Sequence, residues 1–442
     1  MFGASMVVTL VRVLSILTLQ VSLGVYAIHP TTPRIDVPDA IKTSWGAYSP
    51  YYSASKYVHP PQGCSVNQVN LVQRHGARYP TSGATERIRS ALEKLSNASS
   101  YNDSKLDFLK DYTYDLGVAD LVRFGAAQSF DAGQTSYERY YKLVNVTSIP
   151  FVRASGSTRV VDSSTNWTAG FTYASGGRPA PTLNLVLDES LNDTLDDSLC
   201  PNVGDSDEQT DAWQSVYTKD AMKRLNAAAL GANLTGDDVT SIISFCAFDT
   251  VAKEKPSQFC NLFTQSDFDG FEYYMDLDKY YGTGYGQELG PVQGVGYINE
   301  LIARLTDSPV RDNTQTNRTL DSDPSTFPLG RTFYADFSHD NQMVAIYSAM
   351  GLFRQTKDLN VTRIDRRRTW VASRLVPFSA QLVTERLDCF GESFVRILVD
   401  DAVQDLSFCG ASNDGLCQLD AFVASQGYAT SDGSGDFEKC FS

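Results

Sequence analysis

Two short runs in this chain carry side chains suited to moving a phosphoryl group. Arg74-His75-Gly76-Ala77-Arg78-Tyr79-Pro80 sets an imidazole between two guanidiniums, and Ser338-His339-Asp340-Asn341 sets a second histidine beside a carboxyl group. Phosphoryl transfer asks a protein mainly for positioning and for positive charge around the equatorial oxygens, which arginine supplies as a forked donor. A neutral imidazole is a competent nucleophile for phosphorus. On this reading His75 attacks, Arg74 and Arg78 hold the phosphate, and His339 donates to its oxygens. Asp340 protonates the leaving oxygen and later takes a proton from water. Arg153, delivered by a third apolar run, closes the pocket. No metal or nucleotide cofactor is needed for this chemistry. A lone basic pentapeptide is usually a solvated turn, but this one follows an apolar run directly, in a chain with only four histidines.

These side chains need strands to deliver them. Residues 66–72, with Val66, Val69, Leu71 and Val72 apolar, predict a strand running into the His75 loop. Residues 149–152 predict a second, delivering Arg153 and a turn at Ala154-Ser155-Gly156-Ser157, and residues 332–337 predict a third ahead of His339. A helix is expected after each. After the third, Met343, Ile346, Tyr347 and Met350 fall at helical spacing and Gly351 stands at a C-cap. Strand, polar loop and helix make an α/β pattern, in which ligands gather at the carboxyl ends of strands. Residues 194–281 read as a mainly helical insertion over the site, with helices across 211–225 and 237–246. A helix over 297–305 returns the chain to the core. The expected layout is an α/β core over about 45–80, 146–190 and 290–442, with helical parts over about 84–145 and 194–285. The Gly/Ser-rich stretch 425–435 reads as a surface loop.

With 442 residues and 42% apolar content, the chain can bury a sizeable core. Arg12, the apolar run 13–25 and Val25-Tyr26-Ala27 form a signal-peptide pattern over residues 1–27, with the mature chain beginning near Ile28. The run is short for a membrane span, so the expectation is secretion with no membrane anchor. Cysteine usage agrees with an oxidising compartment. Cys64, Cys200, Cys246, Cys260, Cys389, Cys409, Cys417 and Cys440 make an even set with no CxxC pair, which suggests disulfides and leaves 105 possible pairings. Asn-x-Ser/Thr acceptors stand at Asn97, Asn102, Asn145, Asn166, Asn192, Asn233, Asn317 and Asn360, so heavy glycosylation on exposed loops is expected. A glycan-covered surface makes a monomer the simpler expectation. The formal charge is −15, and removing residues 1–27, which hold one Arg and no acid, makes it −16. That excludes nucleic acid as a natural partner. Attraction of a phosphate ester must come from a locally basic cleft.

The seven-residue motif together with His339-Asp340 resembles the histidine acid phosphatase family, specifically the fungal phytases. Phe151-Val152-Arg153-Ala154-Ser155-Gly156, Lys279-Tyr280-Tyr281-Gly282, Leu289-Gly290-Pro291-Val292-Gln293-Gly294-Val295-Gly296-Tyr297 and Tyr334-Ala335-Asp336-Phe337 extend the resemblance from about Trp45 to Phe441. It implies an α/β core with a helical insertion and hydrolysis of myo-inositol hexakisphosphate and lower inositol phosphates through a phosphohistidine. By position it implies His75 as nucleophile, Asp340 as proton donor, and Arg74, Arg78, Arg153 and His339 as ligands of the scissile phosphate. It also implies disulfides Cys64–Cys389, Cys200–Cys440, Cys246–Cys260 and Cys409–Cys417.

The chain departs from the ascomycete phytases in lacking a cysteine before Cys64 and in carrying Thr85-Glu86-Arg87-Ile88-Arg89 where they have a lysine-rich stretch. Arg87, Arg89 and Lys279 are either contacts for the outer phosphates or ordinary surface charges. Tyr48, Asp249 and Asn341 fall where cleft residues are expected. Arg159-Val160-Val161-Asp162-Ser163-Ser164-Thr165-Asn166-Trp167 and Tyr274-Met275-Asp276-Leu277-Asp278-Lys279 resemble the basidiomycete branch, which implies attack at the 6-position rather than the 3-position. A broad-specificity acid phosphatase would share every catalytic residue and differ only in the cleft. A non-catalytic anion-binding protein is disfavoured, because an ionised Asp340 repels phosphate.

Overall fold

Alternation along three apolar runs determines what the fold buries. Val69 and Leu71, Val152 and Ala154, and Phe333, Ala335 and Phe337 pack into one core, while Val72 joins a second core on the other side. Side chains of a strand alternate between faces, so these runs are strands buried on both sides. The computed structural model of the chain describes residues 31–442. The leader expected over residues 1–27 lies outside the described residues.

The strands of the main sheet are β1 (Cys64–Arg74), β2 (Phe151–Ser155), β3 (Leu183–Leu187), β4 (Phe333–Ser338), β5 (Gln381–Cys389), β6 (Glu392–Val399), β7 (Ala402–Val403) and β8 (Cys417–Gln418). They form one sheet in the order β8-β6-β5-β1-β4-β2-β3, with β7 paired to β6. β1, β4, β2 and β3 run parallel, and β5, β6 and β8 continue the sheet antiparallel from β1. The carboxyl ends of β1, β2, β3 and β4 therefore open on the same edge, where such sheets bind ligands.

Helices cover both faces. α1 (Ser82–Ser96) follows the His75 loop, and α2 (Arg123–Tyr140) and α3 (Thr158–Ala174) pack together under the Trp167, Phe171 and Phe333 core. α4 (Asp207–Tyr217), α5 (Lys219–Ala228), α6 (Gly236–Lys253) and α7 (Gln265–Gly282) form a helical stretch whose apolar side chains join the larger core with α8 (Val295–Thr306) and α9 (Asp340–Met350). The mixed α/β class expected from the sequence is the one observed. α9 ends at Gly351, whose positive φ of 95° suits a residue without Cβ. The single helix expected over 211–225 is two, α4 and α5. The break is at Thr218, whose hydroxyl donates to the Gln214 carbonyl at 2.7 Å, a back-bond that bends helices. Residues 425–435 are not a surface loop. They hold short helical turns in which Ala429 and Gly433 are buried.

Disulfides join Cys64–Cys389, Cys200–Cys440, Cys246–Cys260 and Cys409–Cys417. The first ties the start of β1 to the end of β5, where Cys64 and Cys389 are already paired in register. Of the glycosylation acceptors, Asn97, Asn102, Asn145, Asn192, Asn233 and Asn360 are exposed; Asn166 and Asn317 are half-buried, and Asn166 lies within α3 rather than on a loop. No helix among the described residues is long and apolar enough to cross a membrane.

Candidate active site

β1 ends at Arg74, and the next peptide delivers His75 into the edge formed by the parallel strands. The His75 backbone is held from both sides, its N–H donating to Ser338 of β4 at 3.1 Å and its carbonyl accepting from Ser379 at 3.0 Å. The ring is buried. Its Nδ1 lies 2.8 Å from the Gly76 carbonyl oxygen. A carbonyl only accepts, so Nδ1 carries the proton and the neutral ring keeps its lone pair on Nε2. Burial first, and then the charges of Arg74 and Arg78, hold the imidazole well below its ordinary pKa. The site therefore favours the uncharged ring, nucleophilic at Nε2. Gly76 is needed for close approach: a Cβ there would run into the Gly125 backbone of α2. Its N–H donates to Ser163 Oγ of α3 at 3.0 Å.

Three guanidiniums gather around this ring. Arg74 is fully buried, stacks over Phe378 at 4.8 Å, and donates to the Ala47 and Val376 carbonyls. Arg78 donates to the Tyr79 carbonyl at 2.9 Å and lies over Phe248 at 5.8 Å. Burial lowers its pKa to about 10, so it stays charged in acidic and neutral water. The third is Arg159, near the start of α3, whose Nη2 is 3.2 Å from His339 Nδ1. The Nε atoms of Arg74, Arg78 and Arg159 are buried with no hydrogen-bond partner in the protein. Buried donors without partners are unusual, and a tetrahedral oxyanion would satisfy them.

Asp340 opens α9, directly after β4. Its Oδ2 lies 3.2 Å from Arg74 Nη2 and 3.0 Å from Lys279 Nζ. Burial alone would raise its pKa, but the Arg74 and Lys279 charges outweigh it and hold the carboxyl well below the usual range. Lys279 also donates to Asn341 Oδ1 at 2.7 Å and pairs with Asp278 at 3.2 Å. The His75 and His339 ring centroids are 5.8 Å apart.

The structure thus brings together His75, Arg74, Arg78, His339, Asp340, Lys279 and Asn341. Tyr48 belongs with them, because its ring packs on Phe248 at 4.4 Å and on Phe378 at 6.2 Å, the rings under Arg78 and Arg74. Arg87 and Arg89 stand exposed on α1, and Arg89 lies over Tyr114 at 4.5 Å. Asp249 is paired with Lys253 at 2.9 Å and lines a cavity of about 460 Å³ bounded by Phe108, Tyr112 and Lys253, to which the His75 cluster contributes no wall.

Arg153 must be corrected. The sequence reading ended its strand at residue 152, but β2 runs to Ser155. Arg153 therefore alternates to the face opposite Val152 and Ala154, in register with Asp336 of β4. There its Nε donates to Asp336 at 2.8 Å and its Nη atoms donate to Glu300 of α8 at 3.1 and 2.6 Å. Arg304 pairs with the same Asp336 at 2.6 Å. With both carboxylates engaged, Arg153 is bound to a structural ion network and is not available to a phosphate. Arg159 takes the place expected for it. The signal for Arg159 was its position as the second residue of the helix that follows the Ser155-Gly156-Ser157 turn.

Sequence reasoning also missed Glu189, two residues beyond β3. Its Oε1 lies 3.1 Å from His339 Nε2. Among the described residues, Glu189, Asp196 and His339 form a group whose ligand atoms lie within 4.8 Å of one another, close enough to be weighed as a metal site. Glu189 and His339 are, however, already engaged with each other.

A family model for the histidine phosphatase superfamily (branch 2) matches residues 65–400. The chain belongs to this family. Within it, phytase A of Aspergillus oryzae is 40% identical over 422 residues, covering 90% of each chain. Phytase A of Neurospora crassa is 36% identical, covering 90% of this chain and 92% of that one. The phytase of D. castellii is similar in structure, with a TM-score of 0.73 at 24% identity over 88% of this chain and 85% of that chain. A Bifidobacterium longum multiple inositol polyphosphate phosphatase, solved with phosphate, has a TM-score of 0.65 at 14% identity over 88% of this chain and 98% of that one. The last two are likenesses of fold.

Proposed function

We propose that this chain is a secreted, monomeric phytase that hydrolyses myo-inositol hexakisphosphate and lower inositol phosphates through a phosphohistidine on His75. The observation that carries the reading is the neutral His75 ring, its Nδ1 proton bonded to the Gly76 carbonyl at 2.8 Å, with Nε2 free among three arginines. The phytase relatives, alike over nine-tenths of the chain, support the substrate class.

In the first step Nε2 attacks phosphorus, the N–P bond forms and the ester O–P bond breaks, with Arg74, Arg78 and Arg159 taking the charge on the equatorial oxygens. The leaving oxygen needs a proton. Asp340 is ionised in the free enzyme because Arg74 and Lys279 stabilise its charge. A phosphate dianion arriving at Arg74 removes part of that stabilisation and adds a negative neighbour, both of which raise the carboxyl pKa. Substrate binding therefore draws a proton onto Asp340 at acidic pH. In the second step Asp340 takes a proton from water, which attacks phosphorus as the N–P bond breaks and inorganic phosphate leaves.

Likeness to the basidiomycete branch favours first attack at the 6-position over the 3-position. Incubation with inositol hexakisphosphate at mildly acidic pH in EDTA tests the whole reading, through the pentakisphosphate isomer that forms first. Rapid release with the 6-phosphate lost first is expected; failure to release phosphate from this substrate defeats the proposal. One observation favours a second reading, a broad-specificity acid phosphatase. Lys279 is committed to Asp340, Asn341 and Asp278, and Asp249 to Lys253, which leaves Arg87 and Arg89 as cations for outer phosphates. Faster turnover of aryl phosphate than of the inositol ester supports that reading.

A further inference from the structure

Glu189 is an acid beside a pocket built for phosphate, where its charge opposes the substrate. Its contacts suggest what offsets that cost. One oxygen, Oε1, accepts from the Ser157 backbone N–H at 2.8 Å and from Ser155 Oγ at 2.8 Å, and lies 3.1 Å from His339 Nε2. The His339 hydrogen bond, ahead of the opposing effect of burial, lowers the Glu189 pKa to about 2, so it is a carboxylate throughout the acidic range.

A carboxylate only accepts, so His339 must place a proton on Nε2. Its other nitrogen, Nδ1, faces Arg159 Nη2 at 3.2 Å, and a guanidinium only donates. Nδ1 therefore holds a lone pair, and the ring is the neutral Nε2–H form. Protonating Nδ1 would set two donors against each other and push Arg159 away. The other groups facing this ring are Ser157 Oγ at 3.5 Å, Asp196 at 3.8 Å and the His75 ring. The direction is thus fixed along the chain: Arg159 donates to His339, and His339 donates to Glu189. The second hold on Arg159 comes through the backbone. Ser157 is the N-cap of α3, the helix that carries Arg159, and its own side chain makes no capping bond. Glu189, from the loop after β3, satisfies that N-cap N–H from outside the helix.

We propose that Glu189 is a positioning residue that aims Arg159 into the phosphate pocket, through the His339 ring and through the Ser157 N-cap. This rests on the phosphotransfer reading of the site and adds to it a residue that does not touch substrate. It also assigns to His339 the orienting of Arg159.

A double-mutant cycle tests it, run on both inositol hexakisphosphate and an aryl phosphate, since Arg159 serves the phosphate and not the alcohol. Glu189→Ala is expected to lower kcat/KM by about tenfold or more, a typical cost for a charge-assisted contact. Arg159→Ala should lower it further, and the double variant should be no worse than Arg159→Ala alone. Glu189→Asp should restore part of the loss if it reaches Ser157. Melting temperatures identify any variant that is merely unfolded, and Glu189→Leu, which fills the space but cannot accept a hydrogen bond, replaces Glu189→Ala in that case. Losses that multiply in the double variant, or wild-type kcat/KM in Glu189→Ala, would overturn the proposal. Absence of turnover of inositol hexakisphosphate by the wild-type enzyme would instead count against the substrate assignment, and the aryl phosphate cycle would still decide the role of Glu189.

Discussion

Arg153 and Arg159 stand six residues apart on one strand-turn-helix unit and have opposite fates. Arg153 lies inside β2, fully buried, with its donors taken by Asp336 and Glu300. Arg159 lies beyond the turn, with a neutral histidine as its partner and a buried Nε left unpaired. The same contrast holds between whole layers. On one face of the sheet Arg153, Arg304, Asp336 and Glu300 neutralise one another. At the strand ends Arg74, Arg78 and Arg159 share few acids, chiefly Asp340. A guanidinium saturated by carboxylates locks elements together, and one surrounded by carbonyls, aromatic faces and a neutral ring remains a site for an anion.

The comparison can be broken in four places. The largest effect is expected from His75→Ala, which removes the nucleophile from the under-satisfied layer. Phosphate release should fall to background while the fold, measured by melting temperature, stays intact. Asp340→Asn comes next. Because only poor leaving groups need a strong acid, kcat for inositol phosphates should drop by about 10² to 10³, and much less for aryl phosphates. Equal losses on both would give Asp340 another task.

The third test sets the two arginines against each other. Arg159→Ala should cost about a hundredfold in kcat/KM with little change in melting temperature. Arg153→Ala should do the reverse, leaving Asp336 and Glu300 under-compensated and costing about 3 to 5 kcal/mol in urea unfolding. A stable and inactive Arg153→Ala would instead mark Arg153 as a phosphate ligand rather than a member of the ion network. The smallest effect concerns Asp193, buried beside Ser155, where burial raises its pKa to about 6. Its neutral form is favoured by folding, so its contribution is complete below about pH 4 and is lost as pH rises through 6. Asp193→Asn should lack about 3 kcal/mol of that pH dependence, visible as a flatter stability curve between pH 4 and 8.

The parts of this site that were legible in the sequence are those carried by one segment. His75 with its arginines follows directly on β1, and His339-Asp340 on β4, so the α/β pattern and the convergence of these loops could be read from apolar runs and polar ends. Arg153 was misread because the strand was ended three residues early, and a strand residue's face depends on register with neighbours. Its partners Asp336 and Glu300 are 183 and 147 residues away, and nothing near Arg153 announces them. Glu189 was missed for the same reason, since its site contact is with a histidine 150 residues later. Cysteine spacing suggested disulfides but no pairing; the pairs needed the family resemblance.

The central claim is that phosphorus is bonded to His75 Nε2 during turnover. It is tested most directly by mixing enzyme with labelled inositol hexakisphosphate, quenching in alkali within milliseconds, where phosphohistidine survives, and sequencing the labelled peptide by mass spectrometry. The expected result is phosphate on residue 75 that forms and decays at rates consistent with turnover. Absence of label from that residue, with inorganic phosphate formed by inversion at phosphorus in a chiral-phosphate experiment, would contradict it.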